Sequence, residues 1–374
     1  MKKSRRRFLQ ASLLGTAAVA AGEVPRALAQ DKKSNKGSGS LRILVLGGTG
    51  FIGPHMVREA LRRKHTVSLF NRGKTNNALF PDLELLVGDR DNGLDALKGR
   101  KWDAVVDNSG YVPRHVADSA RLLSASVSHY LFISSISAYA SFAEPNHEDS
   151  PLATMPDETV EEVTGETYGP MKALCERRAA AEIGEDRLTI LRPTYICGPG
   201  DHTDRFSYWP VRTMKGGEML WPGTPDDKTQ IIDVRDLANF VVDCVEQQVT
   251  GTYNTVTPAG SYSMGGLLAD SMAVTGMKVT ATWVSAEFIE EQKLGEGRQM
   301  PIWAPPVGEY AGVAWVNGER AVAKGLTNRP VRETARDLIS WWHTLPEERR
   351  QNIRAGLSEE REAEVLARWH EQSG

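Results

Sequence analysis

The glycine-rich stretch at residues 41–53 constrains the fold of this chain more than any other feature. Its sequence, Leu-Arg-Ile-Leu-Val-Leu-Gly-Gly-Thr-Gly-Phe-Ile-Gly, is an apolar run that breaks into spaced glycines, and a helical pattern follows it. That order predicts a buried strand, a tight turn and a helix. Gly47 would allow the turn, Gly50 would let the backbone approach a pyrophosphate, and Gly53 would let the helix pack closely. The stretch therefore predicts a dinucleotide site at a helix start, with an ordinary strand-to-helix turn as the alternative.

From this stretch onward, apolar strands alternate with helical patterns. Strands are expected at 41–46, 65–70, 84–87, 103–107 and 129–134, and helices at 52–63, near 91–98 and at 114–126. This alternation is typical of a doubly wound α/β fold with a parallel sheet and crossover helices. With 374 residues, of which 40% are hydrophobic, the chain is long enough for two unequal domains.

Charge and cysteine content narrow the class of protein. The chain carries 45 basic and 48 acidic residues, a net charge of -3, so no overall basic field attracts nucleic acid and a small-molecule substrate is expected. Cys175, Cys197 and Cys244 are far apart in the sequence and lack metal-type spacing. Residues 201–204 include two aspartates and a histidine, which we interpret as a hydrogen-bonded turn, and no metal ion is predicted.

The first thirty residues have the composition of an export signal. A basic start at 1–7 precedes a weakly apolar segment at 8–24 and the cleavage-type sequence Ala27-Leu28-Ala29. Ser4-Arg5-Arg6-Arg7-Phe8-Leu9 resembles the twin-arginine signature. We expect a signal peptide over 1–29, a disordered polar linker over 30–40, and export through the twin-arginine machinery to the periplasm or another extracytoplasmic space. No stable membrane span is expected after cleavage, and a cytoplasmic protein with a chance basic leader is the alternative.

Polar residues follow the ends of the predicted strands. After the second strand, Asn71 stands where an acid would bind a free ribose 2′-hydroxyl, and Arg72 and Lys74 suit a 2′-phosphate. This favours NADP, unless both cations are solvated turn residues. Asp89 follows the third strand and is expected to accept a hydrogen bond from an adenine amino group, or else to lie in a surface turn. Asn108 follows the fourth strand and is expected to contact the cofactor.

Tyr168 and Lys172 are the candidate acid–base pair. They open a helical pattern four residues apart, so they share a helix face with Cβ atoms about 6 Å apart. An ammonium at that distance can lower the pKa of a phenol from its usual value of about 10. Alone, such a pair is usually an exposed helix face. It gains weight because it follows the fifth strand, which ends in the hydroxyl-rich run 134–137.

Taken together, these residues resemble the extended short-chain dehydrogenase/reductase superfamily, and within it the NAD-dependent epimerase/dehydratase family. The resemblance covers residue 41 to about 342 and rests on the glycine stretch, on Ser134-Ser135, on Tyr168 with Lys172, and on three later segments, 191–200, 230–238 and 251–255. It implies an NAD(P)-dependent enzyme in which Tyr168 is the general acid/base. Lys172 would hold the nicotinamide ribose and lower the Tyr168 pKa, and Ser135 would polarise the reacting C–O group.

The resemblance also implies where ligands and domains lie. The cofactor is expected to contact Gly47, Gly50, Phe51, Ile52, Gly53, Asn71, Arg72, Lys74, Asp89, Asn108 and Lys172. The substrate is expected to contact Ser134, Arg205 and Trp209. The dinucleotide domain would comprise 41–193 and 228–256, the substrate domain 194–227 and 257–345, and a helical tail 346–374. The tail is expected to pack on its own domain, with a homodimer contact as the alternative.

Three departures from the family pattern concern the site, and one of them is Asn71-Arg72 in place of the usual acid. Pro170 falls inside the Tyr-to-Lys spacing, where it is tolerable only in the first helical turn. Residues 107–110, Asp-Asn-Ser-Gly, replace the family's strand end of histidine and alanine.

Export and chemistry together suggest a redox-neutral reaction. A twin-arginine leader fits a protein that folds around its cofactor before export, and little free nicotinamide nucleotide exists outside the cytoplasm. We therefore expect a tightly bound NAD(P) that returns to its starting redox state, as in epimerisation, dehydration or elimination on a sugar or polyol. The alternatives are an NADP-dependent carbonyl reductase or alcohol dehydrogenase, and a non-catalytic binding module on the same fold.

Overall fold

The structure, a computed structural model, describes residues 39–295 and 299–373. The predicted signal peptide and nearly all of the predicted linker therefore lie outside the described residues.

The described chain alternates strands and helices. The strands are β1 (Arg42–Leu46), β2 (Thr66–Asn71), β3 (Glu84–Val87), β4 (Ala104–Asp107), β5 (His129–Ile133), β6 (Leu188–Pro193), β7 (Tyr195–Cys197), β8 (Gly217–Pro222), β9 (Ile231–Asp233), β10 (Gly251–Thr255) and β11 (Val279–Val284). The helices are α1 (Gly53–Arg62), α2 (Pro113–Leu123), α3 (Tyr168–Ile183), α4 (Tyr208–Thr213), α5 (Val234–Gln247), α6 (Met264–Thr275), α7 (Ala286–Glu291), α8 (Glu319–Ala323), α9 (Val331–Trp342), α10 (Glu347–Gln351) and α11 (Glu359–Ser373).

Seven strands form one parallel sheet in the order β10-β6-β5-β4-β1-β2-β3. The chain steps outward from β1 to β3, returns to β4 on the other side of β1, and continues outward. The order thus reverses beside β1, which is where a doubly wound sheet binds its ligand. The predicted fold class is confirmed, and the predicted strands lie within about one residue of the observed ones.

The predicted helix near 91–98 is wrong. Only a single 3-10 turn, Asp95–Leu97, forms there. Asp89 and Gly93 make an antiparallel bridge, and Asn92 between them has a φ of 60°, so the chain reverses direction instead of winding into a helix.

Both faces of the sheet are covered, as a parallel sheet requires. On β1, Ile43 and Val45 belong to the apolar cluster that includes α1 and α5. Leu44 and Leu46 point the other way, into the cluster that includes α2 and α3. This two-sided burial explains why the strand reads as a continuous apolar run.

A second lobe adjoins the carboxyl edge of the sheet. It contains the parallel pair β8 and β11 together with α4, α6, α7 and α9, and its core includes Trp209, Trp221, Trp303 and Trp342. The tail helices α10 and α11 add to this lobe, where Glu362 of α11 pairs with Arg212 at 2.5 Å.

The domain boundaries expected from the sequence stay a prediction. None of the described helices is long and apolar enough to cross a lipid bilayer.

The tightest backbone approach in the glycine stretch yields a stability prediction. A Cβ on Gly53 would lie 2.4 Å from the Gly48 Cα, so α1 would have to move off β1. We expect Gly53→Ala to lower the free energy of unfolding by about 1–3 kcal/mol, measured by urea denaturation. A Cβ on Gly50 would meet nothing within 4 Å, so Gly50→Ala, the matched control, should change stability by less than about 0.5 kcal/mol. Equal losses in both variants would contradict this account.

Candidate active site

A cleft of about 560 Å³ opens at the carboxyl edge of the central sheet. It is lined by the residues that follow β1 to β6, by the start of α3, and by the loop that precedes α4. The predicted site residues that line it are Gly47, Gly50, Phe51, Ile52, Asn71, Arg72, Lys74, Asp89, Asn108, Ser134, Ser135, Tyr168, Lys172 and Arg205. Gly53 and Trp209 do not line the cleft. Gly53 instead packs closely against the Gly48 backbone of the glycine loop.

The glycine loop has the backbone of a phosphate cradle. Gly47 and Gly48 have φ values of 112° and 94°, which side-chain-bearing residues rarely adopt. The space beside Gly50 is open, and α1 starts at Gly53 with no side-chain cap on its free amides. Asn108 stands across from Gly47, and its Oδ1 atom is buried with no hydrogen-bond partner among the described residues. These features fit a dinucleotide.

Asn71 has a different role from the acid it replaces. Its Nδ2 donates to the Gly47 carbonyl at 3.4 Å, and its Oδ1 accepts from the Gly73 amide at 2.8 Å. The side chain therefore ties the turn after β2 to the glycine loop. That turn carries Arg72 and Lys74, both exposed at the rim of the cleft.

Asp89 lies exposed at the rim of the cleft, where its carboxylate accepts from the Asp91 amide at 3.1 Å. Asp89 is thus a surface turn residue that also lines the cleft. Its expected contact with an adenine amino group stays a prediction.

Arg90 was not predicted as a site residue, yet it anchors the cleft floor. Its guanidinium is buried against Asp107, with Nη2 and Oδ2 2.8 Å apart. Asp107 also accepts from the Tyr130 hydroxyl at 2.8 Å and from the Ser109 amide at 3.2 Å. Burial lowers the pKa of Arg90, but the groups around it, the Asp107 charge first among them, raise it overall, so the Arg90 guanidinium stays charged. A sequence signal did exist, since an arginine follows β3 and an acid ends β4, and both strands of the parallel sheet end at the same edge.

Tyr168 and Lys172 sit in the first turns of α3. Pro170 is the third residue of the helix, where its missing N–H costs no hydrogen bond. Ser135 lines the same cleft as Tyr168 and acts on the phenol to lower its pKa. The Lys172 ammonium donates to the Gly110 carbonyl at 2.8 Å and to the Ile133 carbonyl at 2.7 Å. An ammonium has three donors, so two are used and one is left.

The electrostatics of this pair differ from the prediction. Burial raises the pKa of Tyr168, while Ser135 and the charge of Arg205 oppose that rise. Lys172 was expected to lower the Tyr168 pKa, but its ammonium is bound by the ends of β4 and β5 instead. Burial also lowers the pKa of Lys172 to about 8.

The hydroxyl of Ser134 binds a buried ion pair. The hydroxyl donates to the buried Glu176 carboxylate, which Arg192 also pairs with at 2.6 Å. The only proton of the hydroxyl is therefore used within the protein, although Ser134 lines the cleft, and its contact with a substrate stays a prediction.

Trp209 is wrong as a substrate contact. Its side chain is 0% exposed, donates from Nε1 to the Pro301 carbonyl at 3.0 Å, and packs on Trp221 with ring centres 4.4 Å apart. The prediction treated residues 201–209 as one cleft-facing stretch. In fact α4 begins at Tyr208 and turns Trp209 into the core of the second lobe.

The loop before α4 supplies the far wall of the cleft. Arg205 lies with its guanidinium 5.1 Å from the centre of the Tyr195 ring and donates from Nε to the Thr203 hydroxyl at 3.2 Å. Asp201 accepts from the Thr203 amide at 2.8 Å. Within residues 39–295 and 299–373, no group of three histidines, cysteines or acids is arranged to hold a metal ion.

Tyr111, one residue beyond the end of β4's polar run, was also missed. Its ring lies 5.2 Å from the Lys172 ammonium and 6.5 Å from the Tyr168 ring, and the residue is 36% exposed in the cleft. Phe132 covers the same ammonium at 4.4 Å from its ring centre. The faces of the Tyr111 and Phe132 rings thus both lie against the Lys172 ammonium. These cation–π contacts stabilise a charge that burial disfavours.

Comparison with known proteins agrees with this geometry. The family model described as "NAD dependent epimerase/dehydratase family" matches residues 43–255, more than half of the chain. The Synechocystis protein described as "Putative dihydroflavonol 4-reductase" is 22% identical over 341 residues, covering 80% of this chain and 93% of that protein. The chloroplast stem-loop binding protein of 41 kDa b from Arabidopsis thaliana is 26% identical over 217 residues, 54% of each chain.

Solved structures show the same fold. The structure of MoeE5 in complex with UDP-glucose and NAD superposes with a TM-score of 0.56 at 20% identity, covering 81% of this chain and 98% of MoeE5. At this identity the likeness concerns the fold alone.

The lowered pKa of Lys172 predicts a pH-dependent affinity for NADPH. Below pH 8 the ammonium can satisfy both carbonyls and donate a third hydrogen bond, whereas the neutral amine has only two donors. Affinity should therefore fall several-fold as pH rises from 7 to 9, measured by fluorescence titration of nucleotide-free protein with NADPH. Lys172→Arg keeps its charge throughout this range and serves as the control. A wild-type affinity that is flat between pH 7 and 9 would refute this role for Lys172.

Proposed function

Since the chain belongs to the NAD-dependent epimerase/dehydratase family, whose members are NAD(P)-dependent enzymes of the extended short-chain dehydrogenase/reductase type, we propose that it converts a sugar or polyol by transient hydride transfer with a cofactor that stays bound. The observation that carries this proposal is that Ser135, Tyr168 and Lys172 line one cleft together with the glycine loop.

The residues divide the work of the reaction. A bound nicotinamide supplies and accepts the hydride. Ser135 and Tyr168 bind the substrate oxygen, and Lys172 holds the ribose with its remaining donor. The raised pKa of Tyr168 keeps the phenol protonated near neutral pH, so Tyr168 donates its proton to a substrate carbonyl oxygen. That donation completes the second half of the cycle, because in the first half the Tyr168 phenolate would take the proton of a substrate hydroxyl while its hydride passes to the nicotinamide. Ser135 and the charge of Arg205 stabilise that phenolate, and no net proton is consumed over a redox-neutral cycle.

The rim and far wall of the cleft support the choice of ligands. Arg72 and Lys74, exposed beside the glycine loop, suit the 2′-phosphate of NADP. Tyr111, Tyr195 and Thr203 offer aromatic faces and a hydroxyl to a polyol, and Arg205 is positioned to contact it. UDP-glucose bound to the similar fold of MoeE5 makes a sugar the favoured class of substrate.

We infer the place of action from the composition of residues 1–29. The basic start, apolar segment and cleavage sequence of residues 1–29 support export by the twin-arginine machinery to the periplasm or another extracytoplasmic space. In that compartment a retained cofactor has an evident advantage, because free nicotinamide nucleotide is scarce. Association into a homodimer is part of the same proposal.

A second candidate is an NADP-dependent carbonyl reductase or alcohol dehydrogenase, which the Synechocystis relative favours by its description. A non-catalytic binding module is the third, since one relative is described as a stem-loop binding protein. The net charge of -3 does not favour nucleic acid as a ligand.

Cofactor retention distinguishes the first two candidates. We expect protein purified after export to keep one NAD(P) per chain through gel filtration, detected by native mass spectrometry. Complete loss of nucleotide on a desalting column, together with turnover that depends on added NADPH, would establish the reductase instead.

Replacement of Tyr168 tests catalysis itself. We expect Tyr168→Phe to lower kcat at least about 100-fold, because the proton donor is lost, while cofactor content is unchanged. Turnover would be followed by mass spectrometry on the wild type's best substrate from a set of UDP-sugars and free sugars. Tyr253→Phe is the control, because that hydroxyl donates to the Thr250 carbonyl outside the cleft. Unchanged activity in Tyr168→Phe would favour the non-catalytic module.

A further inference from the structure

We propose that residues 346–354, at the start of the C-terminal segment, are a positioning element of the active site, in which Arg349 and Arg354 hold the substrate loop, residues 201–205, against the cleft. The segment lies wholly beyond the family match at 43–255, so the match assigns it no role. The inference rests on the proposed function only in taking the cleft as the active site.

The C-terminal segment binds the substrate loop mainly through the carboxylate of Asp204. Its side chain is 0% exposed, and its two carboxylate oxygens face the tail. Oδ1 accepts from Arg349 Nη2 at 2.6 Å, and Oδ2 accepts from the Arg354 amide at 2.8 Å. Arg354 also donates from Nη1 to the His202 carbonyl at 3.1 Å. Two positions of the substrate loop, His202 and Asp204, are thus held by residues that lie about 150 positions further along the chain.

The loop needs this support. Asp204 has a φ of 59°, a left-handed conformation that persists in a residue with a side chain only when its surroundings hold it. A buried carboxylate without charged partners is also strongly disfavoured. Burial raises the pKa of Asp204, and the Arg349 guanidinium opposes that rise. Without Arg349 the carboxylate would move toward water and take the loop with it.

The loop carries the groups that matter to the cleft. Arg205 directly follows Asp204, lies over the Tyr195 ring at 5.1 Å, and contributes a charge that opposes the rise in the Tyr168 pKa. The His202 ring meets the Phe51 ring of the glycine loop edge-on, with centres 6.2 Å apart. A shift of the loop would therefore alter the substrate wall and the acid–base group together.

The tail has a second, separate attachment that provides a control. Glu362 of α11 is buried, pairs with Arg212 at 2.5 Å and accepts from the Leu220 amide at 3.1 Å. These partners belong to α4 and β8, outside the cleft lining. Loss of this contact should loosen the tail without touching the Asp204 carboxylate.

Hydrogen–deuterium exchange of the full-length protein with its cofactor tests the proposal without a known substrate. We expect Arg349→Met to speed amide exchange in residues 201–207 at least tenfold, whereas Glu362→Gln lowers the melting temperature but leaves that exchange within twofold of wild type. Arg349→Lys, which keeps the charge, should restore most of the protection. Unchanged exchange in Arg349→Met, or an equal increase in Glu362→Gln, would overturn the proposal.

The Michaelis constant tests whether the loop contact affects substrate binding, because a contact that only stabilises the fold would leave KM unchanged. With the substrate found for the wild type, Arg349→Met should raise KM at least fivefold and leave the NADPH dissociation constant within twofold, while Glu362→Gln leaves both unchanged. An unchanged KM together with faster exchange would overturn the functional part. Absence of turnover in the wild type would count against the proposed function alone, because the exchange result still decides whether the tail holds the loop.

Discussion

All seven strands of the central sheet run in one direction, so every strand ends at the same edge, and the whole cleft depends on how those ends are fixed. Lys172 is the central tie. Its buried ammonium joins α3 to the Gly110 carbonyl after β4 and to the Ile133 carbonyl at the end of β5. Phe132 and Tyr111 cover the charge with their rings. Because one residue makes all these contacts, the placement of Tyr168 one helical turn earlier follows from the same interaction.

Buried ion pairs repeat this principle around the cleft. Arg90 with Asp107 fixes the end of β4, Glu176 with Arg192 holds Ser134 at the end of β5, and Arg349 with Asp204 holds the substrate loop. Such pairs contribute little net stability, since desolvation offsets most of the attraction. They do impose one arrangement, because a displaced partner leaves a buried charge unpaired. The walls of the cleft are therefore set by the protein before any ligand arrives, which is what accurate positioning of reacting groups requires.

The electrostatic roles at the acid–base centre are divided between two cations. Lys172 is bound to the Gly110 and Ile133 carbonyls, while Arg205, from the second lobe, is the cation that opposes the raised pKa of Tyr168. The pKa of Tyr168 thus depends on where the second lobe places Arg205 relative to the end of the sheet. This dependence gives the C-terminal segment its importance, since it holds the loop that carries Arg205. The proposed export of a folded protein with its cofactor is consistent with a cleft whose parts are tied together so closely.

Local sequence determined the strand, glycine turn and helix at 41–62, the alternation that defines the sheet, and the Tyr168–Lys172 spacing, because apolar periodicity and residue spacing act over a few neighbouring positions. Tertiary structure alone decided which way each side chain faces. Ser134 turns to Glu176, Trp209 packs into the second lobe, and Asp204 meets Arg349 across 145 positions of sequence. The expected effect of Lys172 on Tyr168 failed for the same reason. Spacing on a helix brings two side chains near each other, but the partners supplied by distant strands decide where an ammonium donates and how far burial shifts a pKa.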